Sequence, residues 1–199
     1  MDILLIVGSA IIGYLLGSIS FSIILTKLSF KKDVRDSGSG NAGATNVARV
    51  FGLKAGLATL GCDILKTFGA MWIGLALFGE WGVMVAGMGA ILGHCFPLYF
   101  GFKGGKAVSV TGAVAIFLDW RVAIVGFSVF LIVAFISRYV SLGSIIAALS
   151  LIVSAFIFSL PIYKWALLIF ASVVAIIMHN ANIGRLIKGT EPKFKAKSK

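Results

Sequence analysis

Residues 3–26 read ILLIVGSAIIGYLLGSISFSIILT, twenty-four consecutive positions without a charged side chain. An amphipathic helix at the surface of a soluble protein keeps a polar face, and this segment has none. Crossing a bilayer takes roughly 20 predominantly apolar residues. Six more apolar runs follow: Gly56–Gly79, Gly82–Tyr99, Ala107–Leu118, Val122–Ser137, Leu142–Leu160 and Trp165–Met178. The chain of 199 residues is 59% hydrophobic and 13% charged, with a mean hydropathy of +1.05. A soluble domain of this size cannot hide so much apolar surface, whereas a lipid-facing one has no need to. The expectation is an all-α integral membrane protein, one domain over residues 1–199, with about seven transmembrane helices. The Ala107 and Val122 runs are short. Asp119-Trp120-Arg121 between them reads as a tight outer turn joining two helices, and one re-entrant hairpin is the alternative.

The first run lacks the basic leader of a removable signal peptide, so it is expected to stay. Cys62 and Cys95 both fall in or beside apolar runs. They read as small buried hydrophobes, neither a disulfide framework nor metal ligands.

Orientation follows the Lys and Arg content of short loops. With the first helix entering from outside, 15 of the 18 basic residues fall on inward segments. Arg121 and Lys164 face outward, and Lys66 lies inside a run. This predicts an outside N-terminus, a cytoplasmic C-terminus and an odd number of spans. The net charge of +11 then reads as topology plus attraction to anionic membrane lipid, which suffices for the basic tail at 193–199. Nucleic acid is excluded as a partner, because no separate soluble domain is present to carry it.

Against this apolar background three polar stretches stand out, all on the expected cytoplasmic side. Residues 35–49, RDSGSGNAGATNVAR, hold three glycines, two asparagines and an arginine at each end. Gly38, Gly40 and Gly43 match G-x-G-x-x-G, but no strand precedes them, so a dinucleotide fold is rejected on context. The physics of such a loop survives: glycines bring backbone N–H groups up to an anion. Ser39, Asn41, Thr45 and Asn46 add neutral donors, and Arg49 adds a planar charged fork suited to phosphate. A flexible linker is the bland alternative, though linkers rarely concentrate Asn, Thr and Arg.

Residues 93–108, GHCFPLYFGFKGGKAV, place Lys103, Gly104, Gly105 and Lys106 before an apolar helix. Ala107 stands where a nucleotide-binding P-loop needs Ser or Thr, so this is not such a loop. Two lysines beside a helix N-terminus still favour anions. His94 reads as a satisfied interfacial histidine. Residues 179–192, HNANIGRLIKGTEP, put His179 and Asn182 on one helix face, with Arg185 one turn on. Glu191 reads as structural, holding backbone or arginine. Arg138, Ser141 and Ser144 form a weaker fourth group, which helix capping largely explains. Asp63 and Lys66, three apart within a run, are expected to pair with each other.

Several basic side chains, glycine turns and a membrane setting imply a phosphorylated cytoplasmic substrate. Paired glycosidase carboxylates, a metal-ligand cluster, an Asp-rich Mg²⁺ motif and a Ser–His–Asp set are all missing from the sequence. Catalysis here would rest on positioning and charge stabilisation, with no cofactor and no metal.

GSGNAGATNVAR, GHCFPLYFGFKGGKAV and HNANIGRLIKGTE, in that order and separated by apolar runs, resemble the bacterial acyl-phosphate:glycerol-3-phosphate acyltransferases, the PlsY family. The resemblance runs to about Pro192. It implies seven spans, a place in the bacterial inner membrane, a cytoplasmic active site, and the first acylation step of phospholipid synthesis. In that step an acyl chain moves from acyl-phosphate to the sn-1 hydroxyl of glycerol 3-phosphate, giving lysophosphatidic acid and phosphate. By motif it marks Ser39 and Arg49, the glycerol-phosphate loop from Gly101 to Lys106, and His179 with Asn182. Either His179 or a substrate phosphate oxygen takes the hydroxyl proton. A small transporter of an organic phosphate is the alternative function. Transporters place their site near mid-membrane between internal repeats, and no repeat is seen here.

Overall fold

A computed structural model describes residues 2–194; Lys195 to Lys199, most of the expected basic tail, lie outside the described residues. The described chain is helical throughout, in the order α1 (Asp2–Gly17), α2 (Phe21–Phe30), α3 (Ala44–Phe51), α4 (Leu53–Cys95), α5 (Val108–Leu118), α6 (Trp120–Ser137), α7 (Val140–Ile157), α8 (Ile162–Met178) and α9 (Asn180–Ile187).

The run that opened the sequence does not form one continuous helix. It breaks between Gly17 and Phe21, which leaves the carbonyls ending α1 without helical partners. Backbone of that kind is tolerated at membrane depth only where protein satisfies it. Lys66 does so here: its ammonium donates to Gly17 O at 3.0 Å and to Ile19 O at 2.8 Å.

The 43 residues of α4 are two antiparallel arms rather than one rod. His94 Nδ1 lies 3.7 Å from Asp63 Oδ1, although 31 residues of straight helix would separate them by about 46 Å. The chain turns at Phe78 and Gly79, and Gly79 sits at φ 58°, ψ −144°. No side chain fits that conformation comfortably, which is why glycine stands there. Beyond the turn, the second arm packs on α1 through facing small residues. Gly13 and Gly17 of α1 lie against the backbone of Ala86 and Ala90, while Gly89 and Gly93 lie against Ala10 and Tyr14. Two G-x-x-x-G pairs thus interlock, and a methyl group on any of the four would overlap a carbonyl.

By length and composition four helical segments suit a membrane crossing, or five if the bent pair α8 and α9 counts as one. The α5 helix, at 11 residues, is shorter than a full crossing. Asp119 alone separates α5 from α6. It accepts from Arg121 N and caps α6, so the expected tight turn is a single residue. The buried core runs between α4, α5, α7 and α8 and includes Met71, Ile91, Val114, Leu151, Leu167 and Leu168.

The connections sort to two ends. At one, Arg35 reaches Phe100 O, Lys106 reaches Asn182, Ser141 reaches Glu191, and Phe194 N donates to Arg138 O. At the other, the Arg121 guanidinium lies 4.7 Å over the Phe158 ring and Lys164 donates to Leu118 O. All three polar motifs therefore meet at one end of the bundle.

Candidate active site

The first loop is organised from within. Asn46, 1% exposed, donates to Val34 O, Ser37 O and Asn41 O and accepts from Ser39 N at 2.9 Å. It shapes the loop and has no donor left over for a substrate. Gly38 and Gly40 both take positive φ, at 64° and 71°. A side chain on Gly38 would run into Asn46. Asp33 accepts two guanidinium bonds from Arg35, and Lys27 lies 3.1 Å away. The Arg35 hydrogen bonds outweigh burial and hold the Asp33 carboxyl well below the usual carboxylate range. Arg35 also donates to Phe100 O at 2.8 Å, tying the first loop to the second. Gly43 then caps α3 and its carbonyl accepts Asn46 N; among the described residues the Ala44 and Thr45 amides have no backbone acceptor and suit an anion.

The second loop turns at Gly101 and Phe102, both at positive φ. Gly104 N and Gly105 N donate to Cys95 O and His94 O at 3.1 and 3.0 Å. The resemblance puts these two glycines in the glycerol-phosphate loop, and the fold uses their amides internally. Their lack of side chains has a packing reason: a methyl group on Gly105 would overlap the His94 ring. Lys106, next in the chain, donates to Asn182 Oδ1.

The third motif forms the far wall. Glu191 is a triple acceptor, from Ser141 Oγ at 2.7 Å, Asn182 Nδ2 at 2.6 Å and Arg185 Nε at 2.7 Å. Burial pushes its carboxyl up, but these three donors win and hold it below its ordinary value. Burial, with help from the Arg185 and Arg49 charges, pushes the Lys106 ammonium down, and Glu191 opposes this. His179, 4% exposed, has Nδ1 2.7 Å from Ala175 O. A carbonyl only accepts, so Nδ1 carries the proton and Nε2 of the neutral ring is the basic nitrogen.

These groups share one cavity of about 380 Å³, within the usual range for a small-molecule site. Its polar end holds Ser39, Asn41, Gly43, Thr45, Arg49, Lys106, Ser141, Ser144, His179, Asn182, Arg185 and Glu191. Its apolar end descends between the helices to Ile64, Phe127, Phe130 and Leu151. Among the described residues the Arg49 guanidinium and the Ser39 hydroxyl have no hydrogen-bond partner, so both are available. Gly38, Gly40, Lys103, Gly104, Gly105 and Arg138 do not line the cavity. Lys103 is exposed, and Arg138 ends α6 in the left-handed region. Sequence reading passed over His94 and Ser109 as cavity-lining residues. It also missed Asn46 as the organiser of the loop; a lone Asn carries no signal for that role.

The glycerol-3-phosphate acyltransferase family model matches residues 7–189. The chain belongs to that family. This acyltransferase is 45% identical over 185 residues to glycerol-3-phosphate acyltransferase 2 of Bacillus anthracis, covering 92% of this chain and 96% of the relative. The enzyme of Brucella ovis is 44% identical over 194 residues, covering 97% and 95%. Among solved structures, the acyltransferase resembles crystal forms of PlsY (YgiH), an integral membrane glycerol 3-phosphate acyltransferase. The glycerol 3-phosphate form superposes with a TM-score of 0.89 at 38% identity over 96% of each chain. The lysophosphatidic acid form gives 0.88, at 38% identity over 96% of this chain and 95% of that one. The acyltransferase is therefore an integral membrane protein of this fold.

Proposed function

We propose that this acyltransferase moves an acyl chain from acyl-phosphate to the sn-1 hydroxyl of glycerol 3-phosphate, the first acylation of phospholipid synthesis. The observation that carries the reading is the two-part cavity. Arg49 and Lys106 stand at its polar end, and the apolar end continues among lipid-facing helices. A phosphate group belongs at the first and an acyl chain at the second.

In this reading Ser39, Arg49, Lys106 and the Ala44 and Thr45 amides at the start of α3 hold phosphate oxygens, with the Asn41 and Thr45 side chains beside them. His179 and Asn182 place the attacking hydroxyl. The glycerol oxygen bonds to the acyl carbon, and the carbon–oxygen bond to phosphate breaks. Phosphate leaves with the electron pair. The hydroxyl proton goes to His179 Nε2, the unprotonated nitrogen of the ring. Among the described residues Ser39 has no hydrogen-bonded base to activate it, and acyl-phosphate already carries a good leaving group, so transfer is direct.

The test is purified protein in lipid vesicles with acyl-phosphate and glycerol 3-phosphate. Lysophosphatidic acid and phosphate are expected in equal amounts. Product from an acyl thioester at the same rate, or transport of glycerol 3-phosphate without product, would overturn the reading. Arg49→Lys keeps the charge but loses the planar fork, and a fall of roughly tenfold or more in kcat/KM is expected. Unchanged kinetics would leave Arg49 a topology residue only.

The basic loops further support seven spans, an outside N-terminus, a cytoplasmic C-terminus and a site facing the cytoplasm across the inner membrane. A single cysteine at Trp81 is expected to react with an impermeant reagent added outside intact cells, and one at Lys188 only after permeabilisation. The reverse pattern would invert the topology.

A further inference from the structure

Four polar side chains outside the proposed chemistry form a connected group beneath the polar end of the cavity. Asp63 and Lys66 are 1% and 7% exposed and pair at 3.0 Å. Mutual neutralisation is the simplest account of two charges on one apolar helix, but it explains only that bond. Each residue also reaches another element. The Lys66 ammonium fastens the broken end of α1 through Gly17 O and Ile19 O. Asp63 Oδ2 accepts from Ser109 Oγ at 2.8 Å, in the first turn of α5. His94 Nδ1 lies 3.2 Å from Lys66 Nζ and 3.7 Å from Asp63 Oδ1. The His94 carbonyl accepts Gly105 N, and its ring packs where a Gly105 side chain would stand.

Lys106 lies between these two attachments. The loop before it is held through Gly105 on His94, and the helix after it through Ser109 on Asp63. A lysine has about 2 kcal/mol of rotamer freedom, and its backbone must be fixed before its ammonium has a fixed place. The cluster supplies that fixity from both sides, with Asp63 and Lys66 on the first arm of α4 and His94 on the second.

We propose that Asp63, Lys66 and His94 are positioning residues that pin the Gly105–Ser109 segment and so set Lys106 at the polar end of the cavity. This rests on the reading that Lys106 engages the phosphate of glycerol 3-phosphate. It also accounts for a Lys and an Asp inside a membrane run, which orientation and catalysis leave unexplained.

Ser109→Ala cuts one tie but leaves Asp63 paired with Lys66, so the fold is expected to survive with a modestly lowered thermal midpoint from the lost bond to a buried carboxylate. With radiolabelled glycerol 3-phosphate, KM is expected to rise about five- to tenfold with kcat nearly unchanged, and Ser109→Thr is expected to restore it. The deciding measurement is a double-mutant cycle with Lys106→Ala. If Ser109 acts through Lys106, Ser109→Ala has no further effect on kcat/KM in that background. A full effect there would overturn the proposal, since it would mean a direct substrate contact or general destabilisation. If Lys106→Ala alone leaves the KM for glycerol 3-phosphate unchanged, the reading of Lys106 itself fails and takes the proposal with it. Asp63→Asn is expected to show the same collapse of effect in the Lys106→Ala background; should it not fold, the Ser109 cycle decides alone.

Discussion

Replacing His179 by asparagine is expected to lower kcat by about 10²–10⁴-fold, the range associated with a positioned general base. The substitution is chosen because the asparagine amide, attached to Cγ as Nδ1 is, still donates to Ala175 O, which His179 Nδ1 approaches at 2.7 Å. The local helix end is thereby kept and only the basic nitrogen is lost. Two features argue for the larger part of the range. The carbonyl fixes the tautomer, so no reorganisation is needed before Nε2 accepts a proton. The ring is nearly buried in the cavity wall, where a proton acceptor competes little with water. The pH profile separates the candidates for the base. A His179 base gives kcat/KM an acidic limb that disappears in the variant. A fall of less than tenfold, with the acidic limb intact, would assign the proton to a phosphate oxygen of the substrate and leave His179 an orienting role.

Much of the fold was legible because lipid imposes a simple rule on sequence. Apolar runs mark helices, and six of the seven runs fall on the rods of the bundle within a few residues. The exception is the first. Residues 3–26 offer no charge or proline, and the Gly17-Ser18 pair is the one weak hint of a break, yet the helix stops after Gly17. The group that satisfies the freed carbonyls, the Lys66 ammonium, lies 49 residues from Gly17. A long-range partner of that kind leaves no mark in the run itself. Gly13, Gly17, Gly89 and Gly93 did carry a mark in their G-x-x-x-G spacing, but hydropathy alone does not show which runs interlock.

The polar motifs were legible as a set, since residues so costly in a membrane have few places to go. Their division of labour was not. Arg49 and Lys106 reach the cavity, whereas Lys103 in the same loop is exposed and away from it. One turn of backbone decides the difference, and composition treats both lysines alike. Gly104 and Gly105 suggested anion binding from their type. Their amides bind carbonyls of the preceding helix, and only coordinates show that.

Glu191 is the point at which packing and chemistry are hardest to separate, and Glu191→Gln tests it. The carboxylate accepts three bonds: Oε1 from Ser141 and Asn182, Oε2 from Arg185. Glutamine has one acceptor and one donor in the same space. If its oxygen faces Asn182, its NH₂ meets the Arg185 Nε–H, and two donors oppose. If it is turned over, its NH₂ meets Asn182 Nδ2. Asn182 must then flip, which presents its own NH₂ to the Lys106 ammonium that now donates to Asn182 Oδ1. Either way a bond to a charged group is lost, at about 1.5–3 kcal/mol. The second route carries the damage directly to Lys106. The expected result is a fall of about 10–150-fold in kcat/KM at roughly 1.4 kcal/mol per tenfold, borne mainly by KM for glycerol 3-phosphate, with a lowered thermal midpoint. Arg185→Ala removes the opposing donor, so Glu191→Gln should cost measurably less in that background. Equal costs in both backgrounds would show that the loss of negative charge, not the donor clash, is what the site feels. Wild-type kinetics and midpoint in Glu191→Gln would show that the three bonds hold nothing that matters to the reaction.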